Sequence, residues 1–143
     1  VPRKNISLHR LNPRAVALEA DALAPPPLRM QNFDLIACNP PYITEEECQA
    51  LDTSVRDWEP MLALDGGEDG LVFYRSVLQN WKSVLKDGGW IIFEVGEGQA
   101  ADVRALLLEA GFHNLGCTLD TLGTERVIYA QKKKPIPTDS EEM

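Results

Sequence analysis

Four consecutive residues, Asn39-Pro40-Pro41-Tyr42, stand at the end of the mostly apolar run Phe33–Cys38 and together offer a polar cup. Two successive prolines hold φ at about −65° and present carbonyl oxygens without an N–H. Pro40 also drives Asn39 away from the helical backbone conformation. Asn39 adds a side-chain carbonyl and a two-donor amide, and Tyr42 a flat apolar face with a polar tip. A planar –NH2 group fits this cup. Acceptors from Asn39 or the Pro-Pro backbone bond the amine hydrogens, the ring covers the flat side, and the free nitrogen face is aimed at an electrophile. Catalysis of this kind works by orientation, without a metal and without a nucleophilic side chain. The bland alternative is a proline-rich turn after a strand.

Such a cup needs a strand ending at residue 38 and a scaffold that holds it. Three mostly apolar runs, Ala15–Ala20, Phe33–Cys38 and Trp90–Val95, read as strands of a parallel sheet covered on both faces. Leu71, Tyr74, Leu78, Trp81 and Leu85 recur on one side of a helix over Leu71–Leu85, begun by Asp69-Gly70 and ended by Asp87-Gly88-Gly89. A second helix spans Gln99–Ala110 and closes at Gly111. His113–Leu119 and Arg126–Gln131 then form an antiparallel hairpin through Asp120-Thr121-Leu122-Gly123. Residues 1–131 therefore read as one domain, and Lys132–Met143, with a Lys run, two prolines and an acidic end, as a mobile polar tail.

Composition narrows the partners. The 143 residues carry 14 Lys+Arg against 22 Asp+Glu, a net charge of −8, which offers no general attraction for DNA or RNA phosphates and favours a protein substrate. Hydrophobic residues make up 44% of the chain, enough for a core, and no 18-residue apolar run suggests a membrane span. Cys38, Cys48 and Cys117 are odd in number and lack C-x-x-C spacing, so they read as reduced packing residues of a cytoplasmic protein. His9 and His113 show no ligand spacing, and no metal site is expected.

The strand-then-NPPY arrangement resembles the class I methyltransferases that use S-adenosylmethionine to modify planar nitrogens. The likeness extends to Val55-Arg56-Asp57-Trp58-Glu59-Pro60-Met61-Leu62-Ala63-Leu64, to the glycine-bearing stretch Asp65–Leu71, to Phe93-Glu94-Val95-Gly96 and to Thr124-Glu125-Arg126-Val127. These blocks are similar to those of the HemK/PrmC protein-glutamine methyltransferases. The resemblance implies a Rossmann-like α/β fold, methyl transfer to a glutamine side-chain amide, and a class 1 peptide chain release factor, at its Gly-Gly-Gln motif, as the protein substrate. It also implies that Asn39 and Pro40 are catalytic, and that Asn39, Pro40, Pro41, Tyr42 and Glu59 bind substrate. Asp21, Ala22 and Asn39 would then hold the cofactor, although Asp21 reads equally well as a turn former.

The family pattern is matched only in part. No glycine-rich G-x-G turn after a first strand is present, nor an acidic residue ending a second strand to hold ribose hydroxyls. The chain starts at Val1, and Lys4–Leu11 resembles the last turns of the helix that would follow that second strand, so a partial fold lacking its first two strands, in a fragment of a longer enzyme, is expected. Alone it is expected to be inactive. Ala15–Ala20 is expected to pair directly with Phe33–Cys38 in a contracted sheet, or with a second molecule through unpaired edges. A ribosomal-protein glutamine methyltransferase, a nucleic-acid exocyclic-amine methyltransferase receiving a flipped base, and a non-enzymatic interaction module stay open at this point.

Overall fold

A computed structural model describes residues 1–41 and 69–134. Helix α1 (Pro2–Leu8) opens the chain, with no buried residue. Strand β1 (Phe33–Cys38) precedes a helical stretch made of α2 (Val72–Ser76), a π-helical turn (Val77–Trp81) and a 3-10 turn (Lys82–Val84). Strand β2 (Leu85–Glu94), helix α3 (Ala100–Glu109), and strands β3 (Phe112–Leu119) and β4 (Glu125–Lys132) follow.

The four strands form one sheet in the order β1-β2-β4-β3. β1 and β2 are parallel, the arrangement that needs a crossover between them, and the helical stretch 72–84 lies in that connection. β4 runs antiparallel to both β2 and β3. The fold class expected from sequence therefore holds, and so do the hairpin and the helix over 100–109.

The core lies on one face of this sheet. In β2 and β4, Ile91 opposes Ala130 and Phe93 opposes Ile128, and all four side chains are fully buried. Tyr74, Val77 and Leu78 of the helical stretch and Val103 and Leu107 of α3 cover them. Ile36 and Cys38 extend this layer from β1, opposite Ile91 and Phe93. Alternation sends Leu35, Trp90, Ile92 and Tyr129 to the other face, where they are half-buried or exposed. Among the described residues, helices cover one face of the sheet rather than two.

Three expectations are corrected. Ala15–Ala20 forms no strand, and the pairing with Phe33–Cys38 is not made; Val16 is 78% exposed. An extended run gains strand structure only from a ladder partner, and β1 meets β2 alone among the described residues. Secondly, β2 begins at Leu85 instead of Trp90, so Asp87-Gly88-Gly89 lies inside a strand. The register shifts there, Phe33 opposing Leu85 and Leu35 opposing Trp90. Gly88 takes φ +81°, which a glycine adopts at no steric cost, and Gln131 Nε2 donates to its carbonyl at 2.9 Å. Thirdly, Lys132 belongs to β4: its ammonium donates to the carbonyls of Leu85 (2.6 Å) and Lys82 (3.1 Å), and its side chain is 15% exposed.

Candidate active site

β1 delivers Asn39, Pro40 and Pro41 to the carboxyl-terminal edge of the parallel pair. The register Cys38↔Phe93 puts Asn39 one step beyond the last pairing, beside the end of β2. Asn39 is exposed, Pro40 buried and Pro41 half-buried. The prolines thus anchor the cup in the fold while the amide of Asn39 faces outward. Tyr42, Glu59 and Arg56 lie outside the described residues, as does Cys48.

The neighbouring edge is rigid. Tyr74, fully buried, donates its hydroxyl to the Glu94 carbonyl at 2.7 Å and meets Phe93 edge-to-face, ring centroids 5.1 Å apart. Gln99 accepts from the Gly96 N–H at 2.9 Å and donates to the Gly70 carbonyl at 3.3 Å. Asp69 caps the Leu71 N–H at 2.9 Å and pairs with Arg75. The Arg75 hydrogen bond, followed by the bond from Leu71, lowers the Asp69 carboxyl below its ordinary range. Sequence reading gave Gln99 no role. Its only signal was its place immediately after Gly96-Glu97-Gly98 at a strand end.

Asp21 and Ala22 occupy a tight turn. Asp21 Oδ1 accepts the Leu23 N–H at 2.9 Å, and the Ala24 N–H reaches the Asp21 carbonyl at 3.0 Å. This side-chain turn is the local role that an Asp at such a position commonly takes. Two side chains of the helical stretch hold the turn: Ser76 Oγ donates to the Ala22 carbonyl at 2.7 Å and Trp81 Nε1 to the Ala24 carbonyl at 2.9 Å. Between turn, strand and helix lies a cavity of about 390 Å³, lined by Ala22, Met30, Ile36, Cys38, Val77 and Trp81 among others. Ala22 and Cys38, the residue before Asn39, therefore border one cleft. Burial pushes the Cys38 thiol up to about 11, which leaves it a neutral packing group.

The Thr124-Glu125-Arg126-Val127 block stands apart from the cleft and closes the hairpin. Asp120 accepts the N–H groups of Leu122 (2.8 Å) and Thr124 (3.0 Å) and pairs with Arg126 at 3.0 Å. Glu125 pairs with Arg104 of α3 at 2.5 Å and accepts the Cys117 thiol at 3.3 Å. Among the described residues no three His, Cys, Asp or Glu side chains gather as a metal site would require, and no helix is long and apolar enough to cross a membrane.

The solved O-methyltransferase family protein from Burkholderia thailandensis superposes with a TM-score of 0.54 at 13% identity, covering 94% of this chain and 41% of that one. The fold is that of the class I methyltransferases. No family model matches the chain. The release factor glutamine methyltransferase of Clostridium botulinum is 42% identical over 130 residues, which is 91% of this chain and 46% of that protein. The enzyme of the same name from Thermodesulfovibrio yellowstonii is 38% identical over 110 residues, 77% of this chain and 39% of its own length. The chain belongs to the release factor glutamine methyltransferase (HemK/PrmC) family. It spans about half the length, or less, of these curated relatives.

Proposed function

We propose that the enzyme containing this chain transfers a methyl group from S-adenosylmethionine to the side-chain amide nitrogen of a glutamine in a class 1 peptide chain release factor. The observation that carries this reading is the Asn39-Pro40-Pro41 cup on the edge of a parallel strand, in a chain 42% identical to a release factor glutamine methyltransferase. The cleft also suits the cofactor's adenine end, since an apolar slot lined by Ala20, Ala22 and Ile36 can take a flat ring. Asp21 and Ala22 would hold that ring and Asn39 would stand near the reacting carbon.

The cofactor supplies an electrophilic methyl group on a sulfonium. An amide nitrogen is a poor nucleophile because its lone pair is delocalised. Asn39 Oδ1 and the Pro40 carbonyl accept hydrogen bonds from the amide NH2, stabilising positive charge as it develops and aiming the nitrogen at carbon. With the cofactor bound, transfer would form the N–C bond as the sulfonium's C–S bond breaks, the extra proton leaving to solvent. Tyr42 and Glu59 complete the substrate side in this reading. The net charge of −8 disfavours nucleic acid and favours a protein partner, which in this reading is cytoplasmic. The residues up to Lys132, the last of β4, serve as the catalytic portion and those beyond as a polar tail. The edge of β1 that is unpaired among the described residues would make the isolated chain prone to self-association.

The test is methyl transfer from labelled cofactor by an enzyme of its relatives' full length. Label is expected on the release-factor glutamine and is expected to vanish when that glutamine is replaced by alanine. The 143-residue chain alone is expected to give none. Labelling of a ribosomal protein or of DNA, with the release factor left unmodified, would overturn the assignment.

A further inference from the structure

A π-helical turn is a rare element, and here it has a geometric consequence. Ser76 and Trp81 are five residues apart, which on an ordinary α-helix places them about 140° apart around the axis. The wider turn over Val77–Trp81 draws the two side chains toward one side. Both bond the same short segment: the Ser76 hydroxyl, with Ser76 only 9% exposed, holds the Ala22 carbonyl, and the Trp81 indole N–H holds the Ala24 carbonyl. Asn80 Nδ2 donates to Ser76 Oγ at 3.1 Å, so the hydroxyl proton is directed to Ala22. The Trp81 ring meanwhile forms part of the cavity wall next to Ala22.

Among the described residues, the segment that these bonds hold has little else to fix it. Leu23 and Leu28 are exposed, residues 15–20 form no strand, and the turn's own bonds are local. We infer that Ser76 and Trp81 are positioning residues for cofactor binding, setting the height of the Asp21-Ala22 turn over the apolar cavity so that Ala22 and the turn's backbone meet an adenosine group. The inference rests on the cofactor reading given above. Neither residue touches the reacting atoms; Ser76 acts through the backbone it bonds, and Trp81 through that backbone and as part of the cavity wall.

Calorimetry with S-adenosylmethionine on the full-length enzyme tests this. Ser76→Ala and Trp81→Phe are each expected to raise the dissociation constant about tenfold with binding stoichiometry unchanged, and Ser76→Ala to leave kcat at saturating cofactor unchanged. Ser76→Thr, which restores a hydroxyl, is expected to recover most of the loss. Thermal melting of each variant identifies any that fails to fold. A fall in stoichiometry at an unchanged dissociation constant would mean a merely structural role and would overturn the inference, as would unchanged binding in both variants. Failure of the unsubstituted enzyme to bind cofactor would overturn the cofactor reading as well. Cofactor binding without release-factor methylation would overturn only the substrate assignment.

Discussion

The stretch from Leu71 to Lys132 and the stretch from Val1 to Cys38 are stabilised by different means. The first buries Tyr74, Phe93, Phe112, Leu107 and Ile128 almost completely and locks its strands with Glu125–Arg104, Asp120–Arg126 and Lys132. The second has a helix with no buried residue and an expected strand that does not form, and among the described residues it meets the body through one edge of β1, the packing of Ile36 and Cys38, the Asp34–Lys86 ion pair and side-chain bonds to the 22–24 turn. Yet the second stretch leads into the proposed chemistry at Asn39 and carries the proposed cofactor turn. On the proposed reading, stability and reactivity are carried by different halves. Residues that orient a substrate need an open edge, and an open edge is what a packed core removes.

The largest expected effect follows from this division. Phe93→Ala removes a fully buried ring that packs edge-to-face on Tyr74, and it is expected to cost about 3–5 kcal/mol of folding stability. Val16→Ala, at a 78% exposed position, is expected to cost less than about 0.5 kcal/mol. Denaturant unfolding of both variants checks the contrast, and equal losses would erase it.

Next in size is the activity side. In the full-length enzyme, Asn39→Ala is expected to lower kcat by about a hundredfold or more with little change in melting temperature, because it removes an exposed acceptor matched to the transition state. Tyr42→Ala is expected mainly to raise KM for the protein substrate, since it removes a binding face. Steady-state kinetics separates the two; near-normal kcat for Asn39→Ala would leave the cup a structural turn.

A smaller effect sharpens the account of the hairpin. The Thr124 N–H and then Arg126 hold the Asp120 carboxyl below its ordinary range, and Arg104 and then the Cys117 thiol do the same for Glu125. A carboxylate with a depressed folded pKa stabilises the fold above its unfolded value, about 4, and loses that contribution as pH falls through the lower folded value. Both groups are partly exposed, so solvent screening keeps the effect modest. The melting-temperature difference between the unsubstituted protein and Asp120→Asn is expected to be constant near neutrality and to shrink below about pH 4. A difference independent of pH would assign Asp120 to turn geometry alone.

Much of the architecture was legible because local patterns and packing agreed. The apolar recurrence Tyr74–Leu78–Trp81 marked the helical stretch, the run Trp90–Val95 marked the centre of β2, and Asp120–Gly123 marked the hairpin turn. The cup was legible for another reason: Pro-Pro restricts the backbone by covalent structure, independent of any neighbour. Ala15–Ala20 was misread because an apolar hexapeptide carries strand propensity but not the partner that makes it a strand. The bulge at Gly88 was missed because it depends on carbonyls met by Gln131 and Lys132, more than forty residues away.

By itself the sequence determined the placement of a rigid, acceptor-rich turn after a strand, the alternation of strand and helix, and the acidic balance that disfavours a polyanion. Each of these is a property of residue type or short-range spacing. Tertiary structure alone decided that Trp81 is both a core residue and a donor, that Ser76 joins it through a π-helical turn, that Cys38 is a neutral wall of the cleft, and that Thr124–Val127 serves the hairpin. A hydrogen bond between residues 54 or 57 positions apart leaves no periodicity in a sequence, because it depends on where folding brings the two backbones.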